Sequence, residues 1–159
     1  MPGELSKDAI EVAEAVAERA QQAGVLVASA ESLTSGNVAS HLGAAPGASE
    51  WFAGGVVAYS SHVKFDVLGV EPGPVVTAKA AREMADGVAR VTGADWAVAT
   101  TGAGGPDPQD GQPPGTVFIA VRTPSGVEAS EHHFDGEPGE VVHSATLTAL
   151  RLLLEGFGR

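Results

Sequence analysis

Segments of helical periodicity alternate with short apolar runs through residues 6–100, and only stacked layers of sheet and helix bury both kinds at once. The spacing predicts a helix over 6–23, with Ser6 as N-cap, Ile10, Ala13, Val16, Ala17 and Ala20 on its apolar face, and Gly24 as a left-handed stop. Val25-Leu26-Val27-Ala28 is too short and too β-branched for a helix and reads as a buried strand. A second helix follows near 35–43, and Pro46-Gly47 marks a turn. Residues 51–59 read as a strand in which Gly54 and Gly55 mark a bulge or a close backbone approach.

The alternation continues with a short helix from His62 to Leu68, stopped by Gly69. Thr77 caps a helix running to Val91 with Ala81, Met84, Ala85 and Val88 inward, and Trp96–Thr100 is a buried strand. Thr116–Arg122 and Val127–Phe134 form a hairpin around Pro124-Ser125-Gly126. A closing helix over 139–155 turns Val142, Ala145, Ala149, Leu152 and Leu153 inward. The fold class is therefore α/β: a three-layer α/β/α sandwich with a mixed sheet, one domain over residues 1–159.

Composition removes several functions. Twenty Asp and Glu against nine scattered Lys and Arg leave a net charge of −11, which argues against direct nucleic-acid binding and against an anionic membrane face. There is no cysteine, so thiol nucleophiles, Cys-ligated metal and disulfides are excluded. His41, His62, His132 and His133 show no metal-ligand spacing and read as surface residues. The polar start of the chain carries no leader pattern, so a cytoplasmic location is expected.

Ligands of open α/β sheets bind beyond the carboxyl ends of strands, and three segments leave predicted strands with unusual polar residues. In Ala30-Glu31-Ser32-Leu33-Thr34-Ser35-Gly36 a serine precedes a helix start, where backbone N–H groups can hold an oxyanion; simple helix capping is the alternative. In Tyr59-Ser60-Ser61-His62-Val63-Lys64 a desolvated lysine can act as a base toward a serine hydroxyl, the alternative being a solvated helix-surface lysine. Thr101-Gly102-Ala103-Gly104-Gly105-Pro106 is neither a dinucleotide fingerprint nor a Walker loop, because prolines follow it and no Gly-Lys-Ser/Thr is present. It reads as a glycine turn or as a backbone wall against a flat or phosphorylated ligand.

Taken in order, these segments, with Leu68-Gly69-Val70 and Pro114-Gly115-Thr116-Val117, resemble the CinA C-terminal family over residues 6–154. Active members of that competence/damage-inducible family are nicotinamide mononucleotide (NMN) deamidases. The resemblance implies hydrolysis of the nicotinamide carboxamide to a carboxylate with release of ammonia, without cofactor or metal. It implies Ser32 as nucleophile, Lys64 as the base that activates it and Tyr59 beside them. Substrate contacts are expected from Glu31, Thr34, Gly36, Ser61, Thr101, Gly102 and Gly105. The expected partners are a small nucleotide substrate and further copies of the chain. Many members also carry a large N-terminal domain related to molybdopterin-binding proteins, for which 159 residues leave no room, so a stand-alone form is expected.

The chain departs from the family pattern at several points. Active members usually have Cys after Ala-Glu-Ser and two glycines after the Thr, where Leu33 and Ser35 stand here, and the family's Tyr-Ser-Asn ends in Ser61. The family's Phe-x-Gly-Asp-Arg-x-x-Val-Arg reads Phe134-Asp135-Gly136-Glu137-Pro138-Gly139-Glu140-Val141-Val142, without either arginine. Losing a phosphate-holding arginine to a net anionic segment costs about 2–5 kcal/mol of binding. Arg122 and His143 are the candidates to replace it. A nucleotide-binding module without turnover, and a protein-interaction role, are the alternatives to an amidohydrolase.

Overall fold

The computed structural model describes residues 5–158. Its elements run α1 (Lys7–Ala23), β1 (Val27–Glu31), α2 (Asn37–Ala44), α3 (Ala48–Trp51), β2 (Phe52–Val57), α4 (Ser61–Asp66), α5 (Ala78–Thr92), β3 (Trp96–Gly102), β4 (Thr116–Thr123), β5 (Gly126–His133) and α6 (Pro138–Phe157). The caps read from sequence do their work. Ser6 and Thr77 accept from Ala9 N and Ala80 N, while Gly24 and Gly93 take left-handed backbone at the helix ends.

The five strands lie in the order β2-β1-β3-β4-β5. β1 is parallel to both β2 and β3, and the β4–β5 hairpin is antiparallel to β3, which makes the sheet mixed. One face packs against α1, α2, α3 and α6 through Val27, Val98, Val117 and Ile119. The other face is built from Ala28, Ala30, Ala97, Ala99 and Ala120, small residues that bring α5 close to the sheet through Ala81, Met84, Ala85 and Val88.

Several boundaries differ from the sequence reading. β1 begins at Val27 because Val25 N bonds Ala20 O, which keeps that residue in the stop of α1, and Leu26 is exposed. β2 begins after the single turn of α3, and Ala53 is left over where the register steps from Val27↔Phe52 to Ala28↔Gly54. The second glycine marks a close approach: a Cβ on Gly55 would lie 2.6 Å from Ser29 O. In α6 the inward stripe is Val141, Ala145, Ala149, Leu150 and Leu153, whereas Val142 and Leu152 are half-buried. In α1, Ala9 is buried and Ile10 only half so.

His41 also corrects the expectation of a surface residue. It is buried, with Nδ1 2.6 Å from Asn37 O and Nε2 accepting from Ser6 N at 3.3 Å, so the imidazole ties α2 to the start of α1. Among the described residues no helix is long and apolar enough to cross a membrane.

Candidate functional site

The carboxyl ends of β1, β2 and β3 coincide, since Glu31 pairs with both Val57 and Thr100. The chain leaving β1 stays between its neighbours: Ser32 N donates to Thr100 O at 3.1 Å and Ala58 N to Glu31 O at 2.7 Å. The three polar exits therefore converge. Beyond them lies a cleft of about 350 Å³, walled by Ser32, Leu33, Tyr59, Gly102, Gly104 and Gly105 on the sheet side. Asp107, Pro108, Gln109, and Pro138 and Val142 of α6 complete it. Of the predicted site residues, the fold thus brings Ser32, Tyr59, Gly102 and Gly105 onto one cavity.

The others do not line it. Glu31 was expected to touch substrate, but its buried carboxyl is engaged internally. Oε1 accepts from Thr34 Oγ1 (2.7 Å) and Val38 N (2.8 Å), and Oε2 accepts from Ala39 N (2.9 Å). An acidic side chain here satisfies two of the orphan donors at the start of α2 and favours the positive end of its dipole. Thr34 is buried too, its hydroxyl 2.8 Å from that of Thr100. Gly36 is the left-handed N-cap of α2, and Ser61, exposed, opens α4. Thr101 points away from the cleft, its hydroxyl donating to Val75 O at 2.7 Å. The side chains of Glu31, Thr34 and Thr101 build the frame on which Ser32 and Gly102 sit.

Lys64 is 1% exposed, and its amine donates to the carbonyl oxygen of Tyr59 at 3.1 Å. It does not line the cleft, and its hydrogen bond goes to that carbonyl rather than to Ser32 Oγ. Burial lowers its pKa below the ordinary lysine value, and the charge of Asp110 opposes that shift in part.

Asp110 escaped the sequence reading. Its backbone is left-handed at φ 51°, in a turn closed by the Gln109–Gln112 bridge, and Oδ2 accepts from Val75 N (2.8 Å) and Val76 N (3.0 Å). The Asp110-Gly111 dipeptide was the available signal, since aspartate tolerates that backbone and takes up nearby N–H groups. The loop after β3 is thereby tied to the segment before α5.

Other backbone donors face no internal acceptor. The N–H groups of Leu33, Gly104 and Gly105, all in cleft-lining residues, make no hydrogen bond within the described residues. They are available to an oxygen on a bound ligand.

Neither expected replacement for a phosphate-holding arginine lies in the cleft wall. Arg122 pairs with Ala97 near the opposite end of β3, binding Asp86 Oδ1 at 3.1 Å and Asp95 O at 3.3 Å. His143 is exposed on α6, next to Val142. Among the described residues no three His, Cys, Asp or Glu side chains are grouped as metal ligands.

Residues 9–157 match the family model described as the CinA C-terminal domain. A CinA-like protein of Anaeromyxobacter sp. (strain K) is 41% identical over 150 residues, covering 90% of this chain and 36% of that protein. A CinA-like protein of Frankia casuarinae is 37% identical over 137 residues, covering 83% and 32%. The chain spans about a third of the length of the curated relatives it matches. The crystal structure of the competence damage-inducible protein A of Klebsiella pneumoniae superposes with a TM-score of 0.91 at 32% identity, covering 95% of this chain and 98% of that one.

Proposed function

The chain belongs to the CinA C-terminal domain family, and from that premise we propose that it is an amidohydrolase acting on the carboxamide of a pyridine nucleotide, with Ser32 as nucleophile and Lys64 as base. The observation that supports this most is the placement of Tyr59. Tyr59 lines the same cleft as Ser32, while its carbonyl holds the desolvated amine of Lys64.

Ser32 Oγ attacks the carboxamide carbon as its proton passes to Lys64 Nζ, which is receptive because burial disfavours its charged form. The neutral amine keeps one N–H on Tyr59 O while its lone pair turns toward Ser32. The carbonyl oxygen becomes an oxyanion held by the unengaged N–H groups of Leu33, Gly104 and Gly105. Lys64 returns the proton to the departing nitrogen, and ammonia leaves an acyl-serine. Water then adds to the acyl carbon and gives a proton to Lys64, which passes it to Ser32 Oγ as the C–O bond breaks and the carboxylic acid leaves.

The test is ammonia release from NMN by the purified protein beside its Ser32→Ala variant. Release that depends on Ser32 supports the proposal, and equal background from both rejects it. A second reading, a nucleotide-binding module without turnover, is favoured by the hydrogen bond of Lys64 to Tyr59 in place of Ser32. Calorimetric binding without product separates it from the first. Self-association belongs to the same proposal: β2 ends the sheet, is rich in glycine and leaves Val57 exposed, so light scattering at micromolar concentration is expected to give more than the monomer mass.

A further inference from the structure

We propose that the cleft selects a pyridinium carboxamide nucleoside that carries no phosphate, in preference to the mononucleotide; this rests on the amidase reading and refines its substrate. Among the described residues, no lysine, arginine or histidine lines the cleft, and Asp107 is the one charged side chain that does. The wall supplied by α6 begins at Pro138, between Glu137 and Glu140.

A helix start is ordinarily where a phosphate binds, because its first N–H groups lack partners. Here, among the described residues, only the Gly139 N–H of the first turn is left without an internal partner. Glu140 Oε1 accepts from Glu137 N at 3.1 Å, Pro138 has no N–H, and Glu140 N and Val141 N both bond Glu137 O. Two carboxyl side chains occupy the place of the anion. A phosphate monoester carries nearly two negative charges at neutral pH. In a cleft of about 350 Å³ it stays within the roughly 8 Å over which charges still act at physiological ionic strength. The pyridinium ring has the opposite sign and gains from the same field. Without the phosphate the ligand is a monocation, complementary to Asp107 and the two glutamates. The reaction is unchanged: water oxygen joins the carboxamide carbon, the C–N bond breaks, and ammonia leaves.

The experiment compares nicotinamide riboside with NMN at pH 7.5, reading ammonia release from the full chain and calorimetric affinity for the Ser32→Ala variant. The riboside is expected to exceed NMN by about tenfold or more in both kcat/KM and affinity, since tenfold needs only 1.4 kcal/mol. Added salt shrinks the ratio, and Asp107→Asn moves it toward NMN; a residue that only maintained the loop would lower both ligands alike. NMN equal to or better than the riboside, or no binding of either, overturns the proposal. Tighter riboside binding without ammonia from either compound sustains the charge selection while rejecting the amidase reading.

Discussion

The carbonyl oxygen of Tyr59 accepts a hydrogen bond from Lys64 Nζ at 3.1 Å, so a residue that lines the cleft also fixes the buried amine behind it. One turn at the N-terminus of α4, with Ser60 as its cap, sets both positions. Displacing that turn therefore moves the base and the cleft wall together.

Replacing Ser32 with Ala is expected to lower carboxamide hydrolysis by about a thousandfold or more, because a nucleophile and its base act as a unit. Steady-state ammonia release checks this. Affinity for a carboxamide ligand should fall far less than the rate.

Lys64 also leaves a signature in stability. Its folded-state pKa lies below its unfolded value because burial penalises the charge, so between the two values the unfolded chain binds more protons and stability rises with pH. Below the folded pKa the penalty is fully present; above the unfolded value, about 10.4, it is gone. Lys64→Met is expected to abolish hydrolysis, raise Tm at neutral pH by about 2–4 °C per kcal/mol relieved, and flatten Tm against pH up to 10. A variant that melts lower at pH 7 contradicts this.

Asp110→Ala removes the acceptor of two backbone N–H groups and is expected to cost about 1–3 kcal/mol. Amide exchange at Val75 and Val76 should accelerate before that of β3. Loss of the negative charge beside Lys64 also moves the rising limb of the rate–pH profile to lower pH, since Asp110 raises the pKa that burial lowers. Asp110→Asn separates the effects, retaining one acceptor while removing the charge.

Gly87→Ala drives a Cβ into the backbone carbonyl of Leu68, a clash that no flexible side chain can relieve, and is expected to cost more than the usual ~1–3 kcal/mol of overpacking. At Gly43, within α2, the nearest atom to such a Cβ is a Phe52 ring carbon at 3.8 Å. There alanine should gain about 0.5–1 kcal/mol through helix propensity. Urea unfolding of the two variants gives the comparison.

The helices were legible from their caps. Ser6, Thr77, Gly24 and Gly93 act locally, within a few residues of the N–H and C=O groups they satisfy. Strand limits were less so, because the edge of β1 depends on Val25 bonding back to α1. The convergence of Ser32, Tyr59 and Gly102 followed from three polar strand exits, a pattern that a parallel sheet turns into proximity. Polarity did not reveal which way each side chain points. Glu31 and Thr101 look as reactive as Ser32 in sequence, yet their partners, Val38, Ala39 and Val75, are fixed only by tertiary contact. Asp110 was hidden for the same reason: the N–H groups that donate to its carboxylate lie 34 and 35 residues away.

The buried carboxyl of Glu31 grips α2 and Thr34 from beneath the nucleophile's loop. That separates the scaffold from the chemistry it carries. Ser32 can be exchanged for another reactive side chain with the mount left whole, whereas an edit at Glu31 would unseat every group the loop presents. Redesign of this cleft has its freedom in the rim, and none in the acid below it.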